Sequence, residues 1–359
     1  MNDLNEFQPQ WMSPPGETIR DILENRKQTV KWLAEQLDCS NEYLERIIVG
    51  KESITSELAL GLKEALGASP DFWMRRDSIY QTALQEVIRR QSQWISQVPT
   101  KQMIEFGWIK PAMATDIQSI IFQFFGIEDA ESWQKKYQPV IQNYAFRTSL
   151  SFESTPVGVS VWLRKAEMEA EKINCKPWNP KNFHESLAEI RKLTKQKDPQ
   201  VFIPRLQTIC SESGVAVVVV RSVKGCNASG ATRFVSETKA IIVMSVRHLT
   251  DDHFWFTFFH EAAHLLLHKD DKFTLDFNNS PLDSEIPKHE IEANEFSANL
   301  LIPIQDRELL KSVRHNYKDV IKLASKLGVS PGIVVGQMQH GNLIQKNQLN
   351  SSKRRYLWD

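Results

Sequence analysis

The 359-residue sequence predicts an α+β protein with an all-helical N-terminal domain, a helical middle and a C-terminal domain that mixes strands with helices. Three observations carry this. Apolar residues recur at helical spacing through the first two hundred positions. The longest apolar stretch, Val215–Val220, is strand-sized and comes only after them. Long apolar helical patterns then return from Asp251 onward. The boundaries expected are 1–95, 96–200, 201–345 and a tail over 346–359.

The first domain is punctuated by caps. Pro14-Pro15-Gly16 leads into a helix over Glu17–Arg26, with Ile19, Ile22 and Leu23 on one face. A second helix spans Val30–Leu37. After Asp38-Cys39, Ser40 caps a third, Asn41–Val49, which Gly50-Lys51 ends. Thr55 caps a fourth, Glu57–Leu66, which stops at Gly67. A helix, a tight turn and a capped helix make the helix-turn-helix layout.

The middle reads as helices broken by Pro99, Pro111, Pro139 and Pro156, with Trp108, Trp133, Trp162 and Trp178 as core residues. It carries no chemical motif. Arg191–Lys197 reads as a surface helix end or a linker. Beyond it, Gly214–Arg221 predicts a buried strand. Gly230–Val235 and Ala240–Met244 predict a hairpin about Ser236–Lys239. Asp251–His268 predicts an apolar helix, and 289–301 another, stopped by Pro303.

Composition narrows the function. Lys plus Arg and Asp plus Glu each number 44, so bulk charge cannot hold nucleic acid, although a local reading surface can. No run of about 18 apolar residues exists, so no membrane span is expected. The start, Met1 to Glu6, lacks the basic and apolar character of a secretory signal. Cys39, Cys175, Cys210 and Cys226 form no C-x-x-C pair, which fits a reducing cytoplasm.

The chemistry lies in His260-Glu261-Ala262-Ala263-His264. On a helix, i and i+4 side chains lie on one face about 6 Å apart, so two imidazoles can hold one Zn2+. Glu261 can then act as general base on a zinc-bound water. A third ligand ten residues after His260 fails, because that position is Asp270. A later helix offers Glu290-Ile291-Glu292-Ala293-Asn294. Glu290 and Asn294 share a face, so Glu290 is the expected ligand and Asn294 the support of a ligand histidine. Glu292 is the alternative ligand and otherwise a solvated charge.

His268, one turn beyond His264, is expected to stabilise the helix C-terminus rather than bind metal. His248, His253 and His289 read as surface residues. Arg233 and His340 are weighed as oxyanion stabilisers against core or surface roles. Cys226 precedes the strand expected to align substrate, and its thiolate is a candidate blocker of the open zinc position, against an inert loop role. Leu323–Val334 mimics a second helix-turn-helix and is expected to be structural.

The run HEAAHLLLH, followed by EIEANEFSANLLIP from Glu290 to Pro303, resembles the ImmA/IrrE family of zinc metallopeptidases, departing only at Ser297. The resemblance covers about residues 200–345. It implies a gluzincin-like site with His260, His264 and Glu290 as ligands and Glu261 as base. PPGETIRDIL, WLAEQLDCSNEYL and GKESITSELALGLKEALGASPDFW, within residues 12–85, resemble HigA-like antitoxins of the XRE helix-turn-helix class. That implies operator DNA binding as a homodimer and a toxin partner. Ser40, Asn41, Tyr43 and Arg46 are the candidate DNA contacts. Residues 1–95 hold 11 Lys/Arg against 15 Asp/Glu, a net of −4, which weakens phosphate binding. The sequence therefore predicts a cytoplasmic DNA-binding regulator carrying a zinc endopeptidase that cleaves a regulatory protein such as a repressor. The alternative is a non-enzymatic antitoxin and repressor whose metal fold is structural or sensing.

Overall fold

The computed structural model describes residues 13–111, 113, 116–137, 154–246, 250–268, 273–276, 287–313 and 316–356, with backbone alone for 273–276. The chain divides into two units, Met1–Ser96 and Gln97–Asp359.

The first unit is helical. Helices α1 (Pro15–Asn25), α2 (Val30–Gln36), α3 (Asn41–Ile48) and α4 (Ser56–Leu66) precede a long α5 (Pro70–Ile95). Thr29, Ser40, Thr55 and Ser69 each cap the helix that follows, their hydroxyls accepting a backbone N–H of the first turn. Asp38 adopts a left-handed φ of 48° in the turn between α2 and α3. Ile19, Leu33, Leu44, Ile47, Leu62 and Trp73 form the core.

In the second unit α6 (Thr100–Glu105), α7 (Ile117–Phe125), a helix α8 described over 130–137, α9 (Pro156–Glu171), α10 (Pro180–Leu193) and α11 (Pro199–Ser211) precede the sheet. Strands β1 (Val215–Val220), β2 (Gly230–Ser236), β3 (Lys239–Ser245) and β4 (Phe273–Asp276) lie in the order β1-β3-β2-β4. β1 runs parallel to β3, while β2 is antiparallel to both β3 and β4. The architecture is α+β, as the sequence predicts. β1 is apolar without alternation because α9 and α11 both pack on it. Gln207 donates to the Val217 carbonyl at 2.9 Å and so covers part of that edge.

The helical middle is not separate from the sheet. α9 packs on β1 and β3, and the Trp162 indole donates to the Val220 carbonyl at 3.2 Å. Trp133 and Trp162 are buried, and Trp178 packs half-buried on the main core. Arg191 is a structural anchor, its guanidinium donating to the Leu301 and Leu327 carbonyls at the ends of two helices.

After the sheet come α12 (Asp251–Leu267), α13 (Lys288–Leu301), the short α14 (Glu308–Ser312), α15 (Tyr317–Leu327) and α16 (Pro331–His340). α12 packs against the sheet, α13 and α16. The second helix-turn-helix look-alike is α15, a left-handed Gly328 and α16. Ile333, Val334, Val335 and Met338 of α16 are buried, so that helix is core and cannot lie in a DNA groove. The tail is also built in. Asp251 exchanges hydrogen bonds with the Arg354 backbone, Lys353 pairs with Asp252 at 2.6 Å, and Trp255 donates to the Tyr356 hydroxyl at 3.2 Å. Among the described residues no helix is long and apolar enough to cross a membrane.

Candidate metal centre

α12 starts with Asp251 and Asp252 in its first turn, where acidic groups suit the helix dipole. Phe254, Trp255, Phe258, Phe259, Ala262 and Leu265 bury it on nearly every side. His260, Glu261 and His264 are buried with it, each 2% exposed or less. Burying three such polar groups on one helix is costly unless they have partners.

α13 supplies them. Ala293 and Ser297 are buried in the contact between the two helices. The Ser297 hydroxyl donates to the Phe256 carbonyl at 2.9 Å, so the departure at this position adds a tie between the helices. Glu290 and Asn294, on the same face of α13, reach α12. Asn294 Oδ1 accepts from His260 Nδ1 at 3.0 Å. Glu290 Oε2 lies 3.3 Å from His260 Nε2, and its Oε1 lies 3.6 Å from His264 Nε2. The two Nε2 atoms are 3.0 Å apart.

These distances fit a metal ion. Bonds of about 2.0–2.1 Å in a tetrahedron place ligand atoms about 3.3 Å apart. The three observed edges of 3.0, 3.3 and 3.6 Å bracket that value. Three protein donors leave a fourth position open, as a catalytic site requires. Among the described residues, His260, His264 and Glu290 are the group able to hold a metal ion, and Cys226 is not part of it.

Glu261 sits beneath β2. A Cβ at Gly230 would lie 2.6 Å from Glu261 Oε1 and 2.6 Å from Thr257 Cγ2. Only glycine allows the strand to cross the carboxylate this closely.

The other candidates fall elsewhere. Over Gly230–Arg233, the part that crosses α12, β2 is hydrogen-bonded on both sides and offers no free edge along which to align a peptide. That corrects its expected role. Among the described strands the edge next to α12 belongs to β4. Cys226 is buried at 2% in a loop whose Gly225 carbonyl accepts from Thr155 at the start of α9. Arg233 pairs with buried Glu167 at 2.8 Å, a structural contact. His340 is exposed beside the Phe256 ring. His253 is exposed, and His248 lies outside the described residues.

Two features escape a reading of the sequence. His289 is half-buried, with Nε2 3.6 Å from Glu290 Oε1. Glu292 is not simply a solvated charge, because its Oε2 accepts from His268 Nε2 at 2.9 Å. His268 Nδ1 in turn lies 3.2 Å from His264 Nδ1. The i, i+4 spacing of His264 and His268 was the available signal. The approach of Glu292 from another helix was not visible in the sequence.

In the first unit Ser40 is exposed, and its hydroxyl accepts from the Tyr43 N–H at 3.1 Å. Asn41 and Arg46 are exposed and Tyr43 is half-buried. Arg46 is paired with Glu52, and Arg20 with Glu45 at 3.6 Å.

An H-E-x-x-H helix joined by a glutamate from a second helix defines a metallopeptidase type of site. Residues 214–337 match the Peptidase_M78 family, described as the IrrE N-terminal-like domain. The N-terminal region is similar to an uncharacterized HTH-type transcriptional regulator, YddM, of Escherichia coli strain K12. The two are 25% identical over 69 residues, which is 19% of this chain and 73% of that protein.

Proposed function

We propose that this chain is a cytoplasmic DNA-binding transcriptional regulator whose second unit is a zinc-dependent endopeptidase of gluzincin type that cleaves a regulatory protein. The observation that carries the reading is the triangle of His260 Nε2, His264 Nε2 and a Glu290 carboxylate, with the buried Glu261 next to His260 in α12. His260, His264 and Glu290 would hold the zinc. When bound, zinc supplies Lewis acidity and lowers the pKa of a water to about 7. Glu261 takes the proton of the attacking water and passes it to the nitrogen of the leaving amine as the peptide C–N bond breaks. Asn294, bonded to His260 Nδ1, would hold the ring with Nε2 available to a metal. The outer edge of β4 would receive an extended substrate by strand addition.

In the first unit α3 would present Asn41, Tyr43 and Arg46 to operator DNA as a homodimer. Ser40 serves as the cap, and Arg46 would exchange Glu52 for a base or phosphate. A second reading, a non-enzymatic antitoxin-type module that binds a toxin protein and keeps a structural metal, is favoured by the net −4 charge of residues 1–95 and by these ion pairs.

Glu261→Gln separates the two. The protein is expressed in cells as wild type or variant, and new protein N-termini are mapped by mass spectrometry. The peptidase reading expects cleavage of a regulator with wild type alone, with zinc equal in both proteins. Identical N-termini in the two samples would favour the binding module.

A further inference from the structure

We propose that His268 and Glu292 are positioning residues for the metal ligand His264, linked as a hydrogen-bonded chain that begins at a surface carboxylate and ends at the metal site. The inference rests on the zinc reading given above.

The chain has three links. Glu292 Oε2 lies 2.9 Å from His268 Nε2, His268 Nδ1 lies 3.2 Å from His264 Nδ1, and His264 Nε2 faces Glu290 and His260. Side-chain exposure falls along it, from 42% at Glu292 to 11% at His268 and 2% at His264. Solvent therefore competes at the outer link and hardly at the inner ones.

The direction of each hydrogen bond is set from the Glu292 end. An ionised carboxylate only accepts, so His268 Nε2 carries the hydrogen and donates. In a neutral imidazole the other nitrogen is then an acceptor, so His268 Nδ1 has a lone pair. His264 Nδ1 must carry the hydrogen that fills this second bond. His264 Nε2 is left bare, and it points at Glu290. The arrangement thus selects the tautomer and the ring angle that a metal ion needs.

The fold explains why two devices are used. His260 lies opposite Asn294, whose Oδ1 holds its Nδ1 hydrogen directly. His264 lies one turn further along α12. His268 ends that helix with φ −125°, which places its ring between His264 and Glu292. α13 thus contributes three groups, Glu290 at the metal position and Glu292 and Asn294 behind the two histidines. Lys288 Nζ lies 3.4 Å from Glu292 Oε1 and steadies the outer end.

The test is zinc affinity, measured on the full chain by competition with a chromophoric chelator. The variants are His264→Ala, His268→Ala, His268→Asn, Glu292→Ala and the double variant His268→Ala/Glu292→Ala. Thermal melts of the metal-free proteins identify any variant that fails to fold. Loss of such an outer partner typically weakens metal binding about 10–100-fold, and that is expected for His268→Ala. His268→Asn places an amide oxygen near the lost Nδ1 acceptor and should recover part of the affinity. Glu292→Ala should weaken binding by a smaller factor. The double variant should match His268→Ala, because the residues act in series. Affinity unchanged in His268→Ala or in Glu292→Ala, or losses that multiply in the double variant, would overturn the inference. Tight wild-type binding that vanishes in His264→Ala keeps the zinc reading intact in that case. A wild type that binds no zinc would reject the zinc reading itself.

Discussion

Replacing Gly230 with alanine adds one methyl group at the closest approach between sheet and helix in the site. The added carbon would meet Thr257 Cγ2 and Glu261 Oε1 at 2.6 Å, and Glu261 Cγ at 2.8 Å. Ordinary carbon contacts lie at about 3.5–4.0 Å, so the overlap is about 1 Å. Thr257 is stiff at χ1 and buried in α12, and it cannot swing away. Glu261 is fully buried, so it can move only by displacing its neighbours. Overpacking of this kind costs about 1–3 kcal/mol. Roughly 2–4 °C accompanies each kcal/mol in a unit of this size, so the melting temperature should fall by about 2–12 °C. Glu261 would be displaced by part of the overlap, and a misplacement of about 1 Å can cost about 10²-fold in rate. Zinc affinity should hold, because neither Thr257 nor Glu261 is a ligand. The assay is a thermal melt with a parallel zinc titration. A Gly230→Ala protein that melts with wild type would refute the close-packing argument.

Burial pushes the Asp251 carboxyl up to about 6. Folded Asp251 holds its proton through a range where an unfolded aspartate, near 3.9, has released it, so stability falls as pH rises through roughly 4–6, by at most about 1.4 kcal/mol per pH unit. Asp251→Asn should flatten that part of the stability profile in urea titrations, and an unchanged slope would assign the slope to other groups. Tyr356→Ala removes a buried ring whose centroid lies 5.1 Å from that of Phe202 and 5.9 Å from that of Phe254. It should cost about 3–5 kcal/mol in urea unfolding, and an unchanged midpoint would show that the tail does not brace α12. Arg46→Ala should weaken operator binding in gel shifts more than Lys63→Ala does, with a steep salt dependence for the wild type. Equal binding by both variants would move base reading away from α3.

Local patterns carried much of this structure. The caps Ser40 and Thr55 mark helix starts because a hydroxyl satisfies an N–H in the next turn, a contact within three residues. Val215–Val220 and the hairpin about Ser236–Lys239 follow from residue type and short spacing. The same holds for His260 and His264, which one helical turn brings together. Contacts between distant segments were hidden. β4 has four residues and exists through its pairing with β2, about forty positions away. The tail binds Asp251 about a hundred residues back in the chain. Glu292 has the composition of a surface charge, and its contact with His268 depends on the packing of α13 against α12. Cys226 reads as a loop residue before a strand, and its burial comes from the fit of that loop to α9.

Metal content across five proteins decides whether His260, His264 and Glu290 hold zinc. Wild type, Glu261→Gln, His260→Ala, His264→Ala and Glu290→Gln are purified without added chelator and assayed for zinc by mass spectrometry. Wild type and Glu261→Gln should each hold about one zinc per chain, given three protein ligands. Both histidine variants should lose the metal, and Glu290→Gln should retain it more weakly. Near-stoichiometric zinc remaining in both His260→Ala and His264→Ala would contradict this ligand set.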